Sequence, residues 1–323
     1  MRLLKHRKLM FQLANIKQRA ARSGSARTGS SMRYLFISTV LIGAAMLGGC
    51  NEGVLNPQGP IAVAERQILF NSLGIMLAIV IPVILATLGV AFWFRASNRS
   101  ANYRPDFVYS GRIEVLVWAI PLMTVLLVGG VAWVGAHDLD PRRPINTEVH
   151  PLKVQVASLD WKWLFIYPDQ GIASVNRLVV PVGTPISLDL TSAGVMNSFF
   201  VPQLGSQIYT MAGMTTHLQL QADNAGSYPG LSAQFSGDGF ADMTFKADAV
   251  PDEKFSEWVS AARATGPVLD AQTYADLAKP SKAVTPFTYR AVASDLFTGI
   301  VMPEMSMDDP TRLVCMASPG AMR

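Results

Sequence analysis

Between Leu231 and Met243 the chain reads LSAQFSGDGFADM, a loop crowded with polar side chains at regular intervals. Hydroxyls stand at Ser232 and Ser236, an amide at Gln234, an aromatic at Phe240 and a thioether at Met243, at offsets of two, four, eight and eleven from the first. Such a loop has the shape of a metal-binding loop, but soft transition metals are held by thiolates and imidazoles, and only Met243 is a soft donor. Elsewhere the four histidines (His6, His137, His150, His217) are scattered, and no CxxC or His/Cys cluster offers a zinc-like spacing. Two cysteines, Cys50 and Cys315, cannot build a disulfide framework. His217 alternates with Leu218 and Leu220 and is expected to face solvent. Glu114, in GRIEVLVWAIP, is an acid at the start of a long uncharged run. On spacing alone it reads as a hydrated helix-end residue, favoured by about 0.3–1 kcal/mol at a helix N-terminus.

The loop must be carried by short strands. Period-two apolar spacing predicts strands over 153–158, 176–181, 186–190, 217–221 and 244–250. Turn residues punctuate them in YPDQG, PVGTP, DNAGSYPG and SGDG. That pattern, over residues 150–250, indicates a small β-sandwich. From Pro251 the pattern changes: acids open PDEKFSEWVSAARA, and Phe255, Trp258, Val259 and Ala262 fall on one helical face. A second short helix is expected over 270–278. From about Met302 the chain shows no periodicity, and order there is expected only if a partner holds it.

Two runs lack charge altogether, Gln67 to Phe94 over 28 residues and Val115 to Ala136 over 22. A bilayer core of about 30 Å needs about 20 apolar residues in helix, so both runs are long enough to cross it. Pro82 and Pro121 lie within them, where membrane helices tolerate proline. The intervening RASNRSANYRPDFVYSGR has Arg95, Arg99, Arg104 and Arg112 against Asp106 alone, which predicts a cytoplasmic loop. Residues 50–140 therefore read as a two-span hairpin, and everything after it as exported.

The formal net charge of +4 comes from the first 49 residues, which hold nine basic side chains and no acid. The remainder has 18 basic against 23 acidic side chains, so no basic face for nucleic acid is expected. Residues 1–49 read as a leader: RYLFISTVLIGAAMLGGC has a basic start, an apolar run and small residues before Cys50. The ending LGGC resembles the lipobox of bacterial lipoproteins, which implies cleavage before Cys50 and its acylation. Met32 would open a complete leader, so translation can start there or at Met1.

Three stretches carry a wider resemblance: DWKWLFIYPDQGIA (160–173), VMNSFFVPQLGSQIYTMAGM (195–214) and SGDGFADMTFKA (236–247). With the hairpin and the lipobox they resemble, from about Met32 to about Phe297, subunit II of the haem–copper oxidase superfamily, in its cytochrome bo-type ubiquinol-oxidising branch. The resemblance implies a membrane α-helical hairpin with two spans plus an all-β cupredoxin-like sandwich, with short C-terminal helices over 251–323. In copper-bearing relatives the loop offsets carry Cys, Glu, Cys, His and Met, and the place of Asn197 carries a His. Here only Met243 survives of those six.

The resemblance further implies a subunit of a proton-pumping ubiquinol oxidase that reduces oxygen to water, acting in structure and assembly and bearing no redox centre of its own. Haems and copper are expected in subunit I, with ubiquinol as substrate of the complex and subunits I, III and IV and membrane lipids as partners. The expected location is a bacterial inner membrane, with an acylated Cys50 and the sandwich in the periplasm. Glu114 then corresponds to the mouth of a proton channel through subunit I. Trp161 and Trp163, two apart on an expected strand, should share one face and serve packing. A copper-containing subunit II of a cytochrome c oxidase and a free-standing lipoprotein module are the alternatives. The first would need Cys at 232 and 236 and His at 197 and 240; the second would not need two spans.

Overall fold

The structure is a computed structural model and describes residues 53–302, except 103, 146 and 147, together with Ser38. Cys50, the rest of the leader and the tail from 303 lie outside the described residues. Every element below belongs to the unit Glu52–Arg323.

The two uncharged runs form the long helices α1 (Pro60–Trp93) and α2 (Gly111–Asp138), which carry Pro82 and Pro121 in their interiors. Their 34 and 28 residues reach about 51 and 42 Å at 1.5 Å per residue, more than a bilayer core. Both are long and apolar enough to cross a membrane. Their side chains, such as Leu85, Trp118 and Val125, are exposed in the chain by itself, so lipid or neighbouring helices must cover them.

Segment 56–66 binds the start of α1 to the sandwich. Gln58 N–H donates to Gln203 O at 2.7 Å and Asp223 N–H to Gln58 O at 2.8 Å. Gly59, which caps α1, has room for no side chain, since a Cβ there would sit 2.0 Å from Gln221 O. The Ser206 hydroxyl bonds to the Glu65 carboxylate on the first turns of α1.

Ten strands follow: β1 (Leu152–Leu159), β2 (Lys162–Tyr167), β3 (Ile172–Val175), β4 (Arg177–Pro181), β5 (Pro185–Ser192), β6 (Asn197–Phe200), β7 (Ile208–Thr210), β8 (Thr216–Gln221), β9 (Gly226–Ser232) and β10 (Thr244–Val250). The C-terminal extension adds α3 (Asp252–Ala264), β11 (Val268–Leu269), α4 (Ala271–Leu277), β12 (Phe287–Tyr289), β13 (Ala291–Val292) and α5 (Leu296–Val301). One sheet runs β12-β3-β2-β1-β5-β8 and the other β4-β10-β9-β6-β7, while β11 and β13 form a small ribbon. β1 lies parallel to β5 and β4 parallel to β10; the other pairs in the two large sheets are antiparallel.

Between the sheets lies a core that includes Val156, Trp163, Phe165, Leu188, Phe199 and Phe245, closed at one end by Val259 and Ala262 of α3. The six-stranded sheet has a second core on its other face. There Leu159, Leu164, Ile166 and Val175 pack against Leu269, Tyr289, Leu296, Phe297, Ile300 and Val301 of the extension. The extension is thus more than helical: it donates β12 to the edge of the main sheet and covers that sheet's outer face. β2 and β3, buried on both faces, have no polar alternation and were not among the strands predicted from period-two spacing. Asn176, expected inside a strand, instead turns the chain between β3 and β4 with φ +53°.

Candidate functional site

The loop between β9 and β10 sits at one end of the sandwich, beside the turn that joins β1 to β2. Ser232, the last residue of β9, is buried and donates its hydroxyl to Asn197 Oδ1 at 3.1 Å, with Gln234 O at 3.2 Å as a second acceptor. Asn197, buried at the start of β6, donates through Nδ2 to Val195 O at 3.2 Å. Met243 is buried with Ser236 Oγ 4.0 Å from its sulfur. Phe240 stands edge-on to Phe235, ring centres 5.6 Å apart, and Phe235 projects 72% exposed. Structure therefore brings together the positions that the sequence singled out.

Their chemistry does not fit copper. The Asn197 carboxamide and the Ser232 hydroxyl spend their hydrogen bonds on one another and on backbone carbonyls, the half-buried Ser236 hydroxyl faces the Met243 sulfur, and Phe240 offers no lone pair. Among the described residues no group of three or more His, Cys, Asp or Glu could hold a metal ion.

Trp161 and Trp163 do not share a strand face, contrary to the expectation. Trp161 lies in the β1–β2 turn with φ +62°, left-handed for a bulky residue, and Trp163 is fully buried in β2. The strand breaks at Asp160 because the chain must reverse within two residues to pair Leu159 with Lys162. The Trp161 indole N–H donates to Ser236 O at 3.1 Å, and its ring lies so close to Gly239 that a Cβ there would meet Cδ2 at 2.4 Å. Trp163 meets Phe199 and Phe245 at ring distances of 5.4 and 5.7 Å, so packing is its role.

Lys162 escaped the sequence reading. Its side chain is buried, and its ammonium donates to Asp160 O at 3.1 Å, Lys279 O at 2.9 Å and Ser281 Oγ at 2.7 Å. Burial pushes it below the usual lysine range, with the Asp160 carboxylate pulling the other way. A lysine inside the apolar run WKWLFIY was the available signal. His217, as expected, is exposed; its Nδ1 lies 2.7 Å from Asp189 Oδ1 on the neighbouring strand.

Glu114 occupies the first turn of α2, exposed, with its backbone N–H on Ser110 O at 3.0 Å. The Ser110 side chain makes no capping bond, so a carboxylate here faces a helix N-terminus whose amides want negative charge. It lies at the far end of α2 from the sandwich, remote from the β9–β10 loop, so the two candidate sites are separate.

Residues 169–250 match the family described as "Cytochrome C oxidase subunit II, periplasmic domain", and residues 263–307 match "COX Aromatic Rich Motif". The chain is 47% identical over 258 residues to cytochrome bo(3) ubiquinol oxidase subunit 2 of Pseudomonas aeruginosa, covering 80% of this chain and 78% of that protein. The chain belongs to the ubiquinol oxidase subunit 2 family. Ubiquinol oxidase subunit 2 of Acetobacter aceti is 44% identical over 271 residues, covering 81% of this chain and 88% of its own. The periplasmic domain of subunit II of cytochrome oxidase of Bradyrhizobium japonicum resembles 37% of this chain and 98% of its own at 26% identity, with a TM-score of 0.35. Family membership makes the sandwich a cupredoxin-like periplasmic domain. The matched segment 263–307 includes β11 to β13 and α5, the extension's side of the second core.

Proposed function

We infer that this chain is subunit II of a ubiquinol oxidase, an oxidoreductase complex in which it partners other oxidase subunits. The observation that carries the reading beyond its family is the hydrogen bond between Ser232 and Asn197, two positions where a copper relay would need thiolate and imidazole. A lipid-soluble quinol delivers electrons within the membrane, so an outer metal relay is dispensable. The chain then acts as a structural and assembly subunit, with haems and copper in subunit I and with subunits III and IV as further neighbours. The complex reduces oxygen to water and pumps protons.

The hairpin crosses the inner membrane twice, with its arginine-rich loop in the cytoplasm and the sandwich in the periplasm. Cys50 carries lipid as a further anchor. Glu114 is the mouth of a proton channel that continues through subunit I: an exposed carboxylate at the cytoplasmic boundary, free of partners among the described residues, collects protons from solvent.

The test is quinol-driven oxygen consumption, per haem, by the purified complex carrying a tagged subunit II. Activity with haem in the preparation is the expected result; a chain that co-purifies with no haem protein overturns the reading. Glu114→Gln keeps size and hydrogen bonding but cannot exchange a proton, so turnover falls with subunit and haem content intact. Near-normal turnover in that variant removes the channel role and leaves a helix-end residue.

A further inference from the structure

Three separate contacts meet at the turn Asp160–Trp161 and at Lys162, the first residue of β2. On one side Trp161 holds the β9–β10 loop, through its indole hydrogen bond to Ser236 O at 3.1 Å and through ring contact with the backbone of Gly237 and Gly239. On the other side Lys162 holds the extension, through Lys279 O and Ser281 Oγ. Lys282, one residue on, places its ammonium 5.6 Å from the centre of the Trp161 ring. Asn176 pins the same stretch again, donating to Val284 O at 2.8 Å. A groove of about 700 Å³ is lined by Ala283, Val284 and Pro286 of the extension and by Ala241 and Asp242 at the end of the loop.

We propose that segment 279–284 of the extension orders the β9–β10 loop through this turn, with Lys162 and Lys282 as positioning residues that act by way of Trp161. Across residues 233–242 the loop's own contacts are local, the Phe235–Phe240 ring contact and short turns. Its donor set cannot be cross-linked by a soft metal ion, and its hydrogen bonds within that span are short-range turns, Phe240 N–H to Gly237 O and Asp242 N–H to Gly239 O. Trp161 is in a left-handed conformation that a bulky side chain adopts only where surrounding contacts over-determine it. Those contacts come from the loop and from the extension together. Loosening the extension frees the turn to relax, and the ring then leaves Ser236 and Gly239.

Hydrogen exchange of the assembled oxidase, read on peptides spanning 236–243, tests this. Lys282→Gln is expected to raise exchange there by about two- to five-fold, the equivalent of an exposed cation–π contact, and Lys282→Arg, which keeps the cation over the ring, is expected to restore protection. Lys162→Ala is expected to raise exchange both at 276–282 and at 236–243, although it does not touch the loop. Faster exchange at 276–282 with an unchanged loop overturns the proposal, as does Lys282→Arg exchanging like Lys282→Gln. Where Lys162→Ala fails to assemble, the Lys282 pair decides alone.

Discussion

The Ser232 hydroxyl donates to Asn197 Oδ1 across 3.1 Å, joining two buried side chains 35 residues apart in sequence. One ends β9 and the other begins β6, strands that pair through Phe199 and Ser232. Two polar groups that would each cost stability if left alone in the core instead satisfy one another.

Removing one partner therefore exposes the cost of the other. Asn197→Ala is expected to destabilise the full-length chain by about 1–3 kcal/mol, because the buried Ser232 hydroxyl loses one of its two acceptors and the carboxamide leaves a gap in the core. Denaturant unfolding of both proteins measures it, and an unchanged midpoint would show that the pair contributes nothing.

The same positions allow a gain of function. Asn197→His, Ser232→Cys, Gln234→Glu, Ser236→Cys and Phe240→His, made together, are expected to bind copper and colour the protein, while the unaltered chain takes up none. Metal analysis and an absorption spectrum of the two suffice. Stoichiometric copper in the unaltered chain would sink the reading of this loop.

Gly239 lies under the Trp161 ring, where a Cβ would approach Cδ2 to 2.4 Å. Gly239→Ala must push the ring or the loop aside, at a cost of about 1–3 kcal/mol. Thermal unfolding together with tryptophan fluorescence should report both the lost stability and the displaced indole.

Lys162 makes stability depend on pH in a definite direction. Burial lowers its folded-state pKa, so between that value and the ordinary lysine value the unfolded chain binds more protons than the folded one. Stability relative to Lys162→Met is then lowest when the ammonium is charged in both states, and it rises as pH climbs through that alkaline window. Taking the difference from Lys162→Met removes what every other titrating group contributes. A difference that falls with rising pH would contradict the assignment.

Cys50 lies outside the described residues, and its acylation rests on the LGGC ending alone. Mass spectrometry of the purified subunit is expected to find a lipid-modified N-terminus at Cys50. An unmodified terminus at Met1 or Met32 would refute it. Cys50→Ser should still yield an inserted protein, since two spans hold it without the lipid.

The two long apolar helices could be read from the sequence because suitability for lipid is close to a sum over residues: 28 and 22 uncharged positions in a row suffice, whatever they pack against. The lack of thiolate and imidazole donors at 197, 232, 236 and 240 is likewise a property of the sequence, since no fold can make a hydroxyl or a phenyl ring into a thiolate. Strands with one wet face, such as β8 and β10, announced themselves by alternation. β2 and β3 did not, because the extension covers their second face. The pairing of Phe287 with Val175 that brings it there joins residues too distant for any local pattern to record. Trp161 leaves its expected strand for the same kind of reason: a left-handed backbone is unfavourable locally and is held by Ser236, Gly239 and Lys282, none of them its neighbour in sequence. Lys162, too, finds two of its three oxygens more than a hundred residues away. What a residue can do chemically is local to it, whereas burial and strain are set by whatever the rest of the chain brings alongside.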